Sequence, residues 1–223
     1  MRAEEQNIAK IGGTWEDANP DSNSAYNKYD KESREKLVNE LLPNGVFSSR
    51  VLDLGCSIGV WGEFLRRKGY AEIYGVDISE ERLKEAETRG YYQTKVAHGT
   101  NLPYPNNFFD SVICIDVLVH VGDKKDREKT ILEALRVLKK GGTLVFSIAN
   151  ADWFKESRDY CFPITVEEAK SYCDWKKTEV RGLQFIYPNL LVKLPFVLKI
   201  FDKLFSNSFL KNKGRVIFFK VVK

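Results

Sequence analysis

The sequence predicts an α/β fold in which helices cover both faces of a parallel sheet. Between residues 31 and 150, short apolar runs alternate with helical patterns. Glycine or proline turns, such as Pro43-Asn44-Gly45 and Gly141-Gly142, separate these runs. Short strands that alternate with helices indicate a parallel sheet, because parallel neighbours need a crossover connection between them.

The elements follow in order along the chain. A helix is predicted over 31–42, because Pro43 and Gly45 end it. The apolar run at 50–54 (RVLDL) predicts the first strand. The next predicted helices end at glycines and cover 60–68, 80–89 and 126–140. The strands predicted between them cover 72–76, 93–97, 111–115 and 143–148.

After residue 150 the alternation is less regular. Thr165 and Glu168 have the spacing of a capping box, in which a hydroxyl and a carboxylate satisfy free backbone amides at a helix start. Strands are predicted over 178–186 and over the closing run 215–222 (RVIFFKVV).

The composition indicates a globular chain of 223 residues that forms one domain. Hydrophobic residues make up 43% and charged residues 30%, which excludes a wholly disordered or fibrous chain. No run approaches the roughly 18 apolar residues of a membrane span, and the first ten residues lack the apolar core of a secretory signal. The four cysteines have neither CxxC spacing nor neighbouring histidines, so we expect no metal site and no disulfide framework. These features favour a reducing, cytoplasmic location.

Basic residues are concentrated in the last part of the chain. Residues 188–223 hold eight basic residues and one acid, a charge of +7, within a chain whose net charge is only +4. In segment 189–205 the large apolar side chains approximate one helical face, and Lys199 and Lys203 lie on another. This pattern fits a basic helix on an anionic membrane surface, a helix packed over the sheet, or a lid over an apolar substrate.

The stretch 51–59 (VLDLGCSIG) leads from a predicted strand through a glycine turn into a predicted helix. Such a turn presents backbone amides in the crevice above a parallel sheet, where cofactors bind. The dinucleotide fingerprint GxGxxG, started at Gly55, requires glycine where Ser57 and Val60 stand. The Asp53 carboxylate would repel a pyrophosphate and attract an ammonium or a sulfonium group. The stretch therefore favours a cationic, amino-acid-like cofactor.

The same stretch resembles motif I of the class I S-adenosylmethionine-dependent methyltransferases, whose pattern is (D/E)xGxGxG. Asp53, Gly55 and Gly59 match the pattern, and Ser57 replaces the middle glycine. Further matches to this family occur in the expected order at Asp77, 102–110 (LPYPNNFFD), 116–121 (DVLVHV) and 138–145 (LKKGGTLV). The resemblance covers about residues 50–150 and places the chain near the broad group of small methyltransferases that includes quinone- and sugar-modifying enzymes.

The resemblance implies a doubly wound, Rossmann-like sheet of seven strands, mostly parallel and with an antiparallel last strand. It implies S-adenosyl-L-methionine as the cofactor, with residues 1–45 as an N-terminal arm or lid, 46–150 as the cofactor-binding core and 151–223 as the substrate side and C-terminal strands. The cofactor-binding residues expected from it are Asp53, Gly55, Cys56, Ser57, Gly59, Asp77, Ile78, Thr100, Asn101, Leu102 and Asp116.

The resemblance also bears on one residue of this set, Asp77, and on one position outside it, His98. Asp77 is expected to accept hydrogen bonds from both ribose hydroxyls. His98 stands where the family commonly has an acid that binds the adenine amino group, so the neighbouring loop 99–101 is expected to supply the adenine contacts instead.

His120 is the candidate catalytic residue, because it follows the fourth predicted strand and a histidine suits a general base near neutral pH. A structural role for His120 is the alternative. Tyr26, Tyr29 and Trp15 on the N-terminal arm would either fold over the active site or pack in the core.

The predicted activity is transfer of a methyl group to an oxygen, nitrogen or carbon atom of a small molecule, and an apolar acceptor is one option. Two alternatives stay open: an RNA or protein methyltransferase that uses the basic C-terminal surface, and a cofactor-binding module without catalysis. The expected partners are the acceptor and, through 189–205, a peripheral membrane surface. Nucleic acid is less favoured because no aromatic-basic RNA-binding module is visible.

Overall fold

The computed structural model describes residues 25–154, 161–174, 177–184, 195–206, 208 and 210–223, without the side chains of 25–27 and 195. Trp15, the side chain of Tyr26 and the first part of segment 189–205 therefore lie outside the described residues.

Seven strands form a single sheet. They are β1 (Arg50–Leu54), β2 (Glu72–Asp77), β3 (Gln93–Val96), β4 (Phe109–Cys114), β5 (Leu138–Ala149), β6 (Thr178–Leu183) and β7 (Val216–Val222). Their spatial order is β3-β2-β1-β4-β5-β7-β6. β7 runs antiparallel to its neighbours β5 and β6, whereas the other neighbouring pairs are parallel. This confirms the predicted seven-stranded sheet with an antiparallel last strand.

Helices cover both faces of the sheet, as the sequence predicts. They are α1 (Ala25–Leu41), α2 (Gly62–Arg67), α3 (Glu80–Thr88), α4 (Lys124–Val137), α5 (Val166–Ser171) and α6 (Pro195–Phe205). Apolar side chains of α1, α2 and α3 pack on one face, and those of α4 and α5 pack on the other. The adjacent residues Val51 and Leu52 of β1 belong to opposite clusters and are both fully buried. Alternate side chains of the central strands thus fill two cores.

The predicted helix 126–140 is too long at its C-terminal end. Helix α4 ends at Val137, and Leu138 already has an extended backbone (φ −74°, ψ 137°). Leu138 pairs with Phe109 on β4. Pairing with the neighbouring strand therefore ends the helix before the glycines, and Gly141 and Gly142 lie inside β5 instead.

The capping box at the start of α5 is only half formed. The Thr165 hydroxyl accepts a hydrogen bond from the backbone N–H of Glu168 at 3.1 Å, as predicted. The Glu168 carboxylate instead accepts two hydrogen bonds from the Arg127 guanidinium, at 2.9 and 2.7 Å. Glu168 thus links α5 to α4 rather than capping its own helix.

Within the described ranges, no helix combines the length and apolar character needed to cross a bilayer. Cys56, Cys114, Cys161 and Cys173 form no disulfide within the described residues. The same part of the chain contains no cluster of histidine, cysteine, aspartate and glutamate that could hold a metal ion.

Candidate active site

The turn after β1 is fixed against the end of β2. The backbone N–H groups of Gly55 and Cys56 both donate to the Val76 carbonyl oxygen, at 2.7 and 3.0 Å. Gly55, Ser57 and Gly59 have positive φ angles of 77°, 49° and 85°. Glycine adopts this conformation readily, whereas Ser57 adopts it against the preference of L-residues. The left-handed backbone at Ser57 explains why a glycine commonly occupies this position.

Glycine is also required at position 55 because there is no room for a side chain there. A Cβ atom at this position would lie 2.3 Å from the Cγ2 atom of Val117, which follows β4. The loops that follow β1 and β4 therefore meet directly at the carboxyl edge of the sheet. This edge is where ligands bind in open α/β sheets.

Asp77 ends β2 beside this turn. One carboxylate oxygen accepts a hydrogen bond from the Ser57 N–H at 2.9 Å, and the other accepts one from the Ser79 N–H at 2.9 Å. Asp77 is half-buried, as is the apolar Ile78 beside it. Each carboxylate oxygen can accept more than one hydrogen bond, so both remain available to hydroxyl donors. Asp77 therefore has the position and the acceptor groups expected of a ribose ligand.

Asp53 lies beneath the turn rather than at its surface. The residue is 1% exposed, and its carboxylate accepts a hydrogen bond from the Tyr91 hydroxyl at 2.5 Å. Burial raises the pKa of Asp53 to about 7, although the Tyr91 hydrogen bond opposes this rise. Direct contact between Asp53 and a cofactor stays a prediction. The sequence gives no sign of the Tyr91 contact, because 38 residues separate the two side chains.

The loop after β3 carries the residues expected near adenine. His98 Nδ1 lies 2.7 Å from the Thr100 hydroxyl, and the Asn101 N–H donates to the His98 carbonyl oxygen at 3.0 Å. The Leu102 N–H donates to the Glu133 carboxylate on α4 at 2.8 Å. Thr100 is half-buried, Asn101 is exposed and Leu102 is buried. The loop is therefore held by its own hydrogen bonds and by α4.

Asp116 follows β4 and has a left-handed backbone, with φ at 58°. Its backbone N–H donates to the Ser147 hydroxyl on β5 at 2.9 Å. Its two carboxylate oxygens both accept hydrogen bonds from Arg34 on α1, at 2.8 and 2.6 Å. Arg34 also pairs with Asp30 at 2.9 Å. Burial opposes the charge of Arg34, but Asp116 and Asp30 raise its pKa, so the guanidinium stays protonated.

No pattern in the sequence indicates that Arg34 contacts Asp116, because 82 positions separate the two residues. The sequence leaves two roles open for Tyr29, folding over the active site or packing in the core. Tyr29 is buried and donates to the Asp202 carboxylate on α6 at 2.5 Å. The Gln184 N–H donates to the same carboxylate at 2.8 Å, and the Gln184 side chain donates to Asp30. Tyr29 therefore has the packing role and links α1 to α6.

His120 is exposed at the end of a short 3₁₀ turn, Leu118–His120, which follows β4. The loop after it is held in place by Arg127, whose guanidinium donates to the carbonyl oxygens of Val121 and Gly122 at 2.7 and 2.9 Å. His120 thus lies near the carboxyl edge of the sheet, and its role as a general base stays a prediction.

The described site residues suit a nucleoside cofactor with a positive charge. They converge from the ends of β1, β2, β3 and β4, and Asp77 supplies acceptors for a ribose diol at the centre of this edge. The Asp77 carboxylate beside the turn favours a cation over a pyrophosphate, whereas the partly exposed Asp116 carboxylate is already paired with Arg34. The donor and acceptor chemistry therefore fits the cofactor that the sequence indicates.

Known families and sequences are similar to this chain. A sequence model described as a methyltransferase domain matches residues 52–146. The chain is 30% identical over 195 residues to an uncharacterised protein of Methanocaldococcus jannaschii, and the similarity covers 78% of each chain. It is 32% identical over 160 residues to the ubiquinone biosynthesis O-methyltransferase of Vibrio cholerae, covering 68% of this chain and 60% of the enzyme.

A plant enzyme is also similar. The tRNA (carboxymethyluridine(34)-5-O)-methyltransferase of Arabidopsis thaliana is 35% identical over 120 residues. This similarity covers 54% of this chain but only 27% of the plant protein. The chain therefore spans less than two thirds of both enzymes that have a named activity.

Solved structures share the fold. A possible histamine N-methyltransferase of Thermotoga maritima matches with a TM-score of 0.67 and 20% identity, covering 99% of both chains. Phosphoethanolamine N-methyltransferase 2 of Haemonchus contortus, solved with S-adenosyl-L-methionine, matches with a TM-score of 0.63 and 19% identity. That match covers 85% of this chain and 52% of the nematode protein.

Proposed function

Because this chain belongs to the family of S-adenosylmethionine-dependent methyltransferases, we propose that it methylates an oxygen, nitrogen or carbon atom of a small apolar molecule. The observation that carries the proposal is the position of Asp77. Its carboxylate lies at the tip of β2 and is hydrogen-bonded to the glycine turn through Ser57. A cofactor bound at this tip would have its methyl group directed toward the loop after β4.

Asp77 would hold the ribose, residues 99–102 would surround the adenine, and the turn 55–59 would contact the amino-acid part. The bound cofactor supplies a methyl group that is already activated by a positive sulfur. The chain then has to hold the acceptor atom in line, at roughly 3–3.5 Å from that carbon, and exclude water. A general base is needed only where the acceptor is protonated at neutral pH, and His120 is the candidate for it.

A small acceptor is supported by the way α1 covers the carboxyl edge. Arg34 links α1 to Asp116 directly at the tip of β4, and Tyr29 links the same helix to α6. A covered site is better suited to a small molecule than to a folded macromolecule. An apolar acceptor would be drawn from a lipid phase, which is the partner that we expect segment 189–205 to contact. We place this activity in the reducing cytoplasm, where thiols such as those of the buried Cys56 and Cys114 are kept reduced.

An RNA methyltransferase is the second candidate. The basic residues after 195 favour it, as does the plant relative, whose name assigns it a tRNA substrate. Transfer to RNA would require an acceptor site open enough for a nucleotide, and the Arg34–Asp116 pair would have to separate. A third candidate, a cofactor-binding module, would bind S-adenosylmethionine without transfer.

The test is to supply cofactor with a labelled methyl group together with an organic extract of lipids and quinols, or with total RNA. We expect label in the organic-soluble fraction, and less label with the control variant Asp77→Ala, which should bind the cofactor more weakly. Label in precipitated RNA would instead support the second candidate. Cofactor binding without transfer to either fraction would support the third.

A further inference from the structure

Helix α6 presents large apolar side chains to solvent. Phe196 is 65% exposed, Ile200 is 43% exposed and Leu204 is 62% exposed. Residues four apart lie one above another on a helix, so these three form one continuous stripe, which we call the α6 stripe. Exposed apolar patches of this kind commonly mark interaction sites.

The opposite face of α6 is fixed to the protein by a polar residue. Asp202 is 7% exposed and accepts hydrogen bonds from the Tyr29 hydroxyl and the Gln184 N–H, at 2.5 and 2.8 Å. Leu198, on the same inner face, is also buried. Rotation of the helix to bury the α6 stripe would break both hydrogen bonds to Asp202. The outward position of the stripe is therefore built into the fold.

Positive charge accompanies the stripe. Lys199 and Lys203 are exposed and lie one residue before Ile200 and Leu204. Helix α6 itself carries these two lysines and one acid, the buried Asp202. Lys199 pairs with Glu32 on α1 at 2.7 Å, but both side chains remain about half exposed. The stripe is thus apolar and has two lysines beside it on α6, while Glu32, Lys36 and Glu40 of α1 line the pocket next to these lysines.

We propose that the α6 stripe, with Lys199 and Lys203, docks on an anionic membrane surface. An interfacial helix inserts apolar side chains at the level of the headgroups while its lysines bind acidic lipids. A twofold contact with a second copy would place these lysines against their own counterparts, which is unfavourable. A nucleic acid would bind the lysines but leave the three apolar side chains in water. The membrane surface is the occupant that satisfies both features.

The docking surface is linked to the carboxyl edge of the sheet. Asp202 on α6 accepts a hydrogen bond from Tyr29 on α1. Helix α1 also carries Arg34, which binds Asp116. Docking would therefore place the acceptor side of the crevice next to the lipid phase. This link to catalysis rests on the proposed function, whereas docking itself does not.

The experiment is cosedimentation of the full chain with vesicles of phosphatidylcholine, with and without phosphatidylglycerol. We expect binding only to the anionic vesicles, and a loss of about tenfold or more in the triple variant Phe196→Ser/Ile200→Ser/Leu204→Ser. Lys199→Gln/Lys203→Gln should weaken binding and reduce its sensitivity to salt. The matched control is Leu132→Ser, which removes an apolar side chain that is 51% exposed on α4 and should change nothing.

Several results would overturn the proposal. They are failure of the unaltered chain to sediment with anionic vesicles, equal binding by the triple variant, or a dimer that the triple variant converts to monomer. Calorimetric titration with S-adenosylmethionine confirms that each variant is folded. Vesicle binding needs no methyl acceptor, so a chain that methylates but does not bind vesicles would refute docking alone. A chain that binds vesicles but transfers no methyl group would refute the proposed function alone.

Discussion

Arg34 on α1 binds both carboxylate oxygens of Asp116, at 2.8 and 2.6 Å, and so joins the first described helix to the tip of β4. The same guanidinium pairs with the buried Asp30. One side chain thus pairs with two acids at the edge where the acceptor is expected, and its single positive charge can balance one of them. Loss of this side chain would affect the cover of the crevice and the stability of the fold together.

We predict that Arg34→Met lowers the free energy of unfolding by about 3 kcal/mol, because it leaves Asp30 buried without its charge partner. Urea unfolding at neutral pH measures this change. The control is Arg67→Met, since Arg67 pairs with Glu35 in an exposed position and should contribute about 0–1 kcal/mol. Equal effects of the two substitutions would contradict a special role for Arg34.

Asp77→Ala should weaken binding of S-adenosylmethionine by about tenfold or more, because a carboxylate that accepts hydrogen bonds from hydroxyl and amide donors is lost. Isothermal titration calorimetry gives the affinity, and Glu128→Ala on the exposed side of α4 is the matched acidic control. An affinity unchanged in Asp77→Ala would remove the ribose assignment. Binding of NAD in place of S-adenosylmethionine would contradict the assigned cofactor class.

The stability of the protein should depend on the ionisation of Asp53. Burial raises the pKa of Asp53 to about 7 in the folded chain, whereas an unfolded aspartate has a pKa of about 3.9. Between these values the folded state binds more protons than the unfolded state, so the stability contributed by this group falls as pH rises. The expected loss is about 4 kcal/mol between pH 4 and pH 7.

Asp53→Asn should remove this pH dependence, because an amide stays neutral and still accepts the Tyr91 hydrogen bond. Urea unfolding of the unaltered chain and of the variant at pH 5 and pH 8 gives the comparison. Burial also raises the pKa of Asp202, to about 6, and this contributes in the same direction. Only the difference between the two proteins therefore reports on Asp53, and parallel pH profiles would refute the prediction.

Substitution of Gly55 and of Gly141 by alanine tests whether the lack of space beside Gly55 matters, because the two glycines have the same φ angle and different surroundings. Both have φ at 77°, but a Cβ on Gly55 would meet Val117 at 2.3 Å, whereas one on Gly141 would meet nothing within 4 Å. Gly141→Ala should cost about 1–2 kcal/mol through backbone strain alone. Gly55→Ala should cost more and also weaken cofactor binding. Adding Val117→Ala should restore part of the stability to Gly55→Ala, and no such recovery would argue against a steric cause.

His120→Asn should lower kcat by about 100-fold or more if this residue accepts a proton from the acceptor. Because the side chain is exposed, cofactor affinity and thermal stability should not change. Turnover and calorimetric titration separate these effects. The control is Asn106→Ala at another exposed loop position, and an unchanged turnover in His120→Asn would assign His120 a surface role.

Local patterns in the sequence predict most elements of the fold, because local chemistry determines them. The strand at 50–54 is predicted at its observed bounds, since an apolar run meets a glycine turn there. The end of α4 is missed because Leu138 is recruited by Phe109, a contact that no local pattern reveals. α1 begins at Ala25, six residues before the predicted start at 31.

The candidate site is likewise predicted only in part from the sequence. Motif spacing finds Asp77 and the glycine turn, which the structure brings together through Ser57. Spacing cannot find Arg34, because its contact with Asp116 spans 82 residues and depends on how α1 packs. Likewise, the burial of Asp53 beside Tyr91 follows from three-dimensional packing, whereas the sequence shows only that Asp53 is an acid.

The position of β7 has a consequence for how the chain is made. β6 pairs within the sheet only with β7, and β7 also completes the edge of β5. During synthesis, the strands β1 to β5 can assemble first, but β6 has no place to attach until residues 216–222 have emerged. The open edge of β5 is exposed during this interval, and unpaired strand edges promote aggregation. Chains interrupted before residue 216 should therefore burden the chaperones of the cell more than chains carrying a defect in the active site.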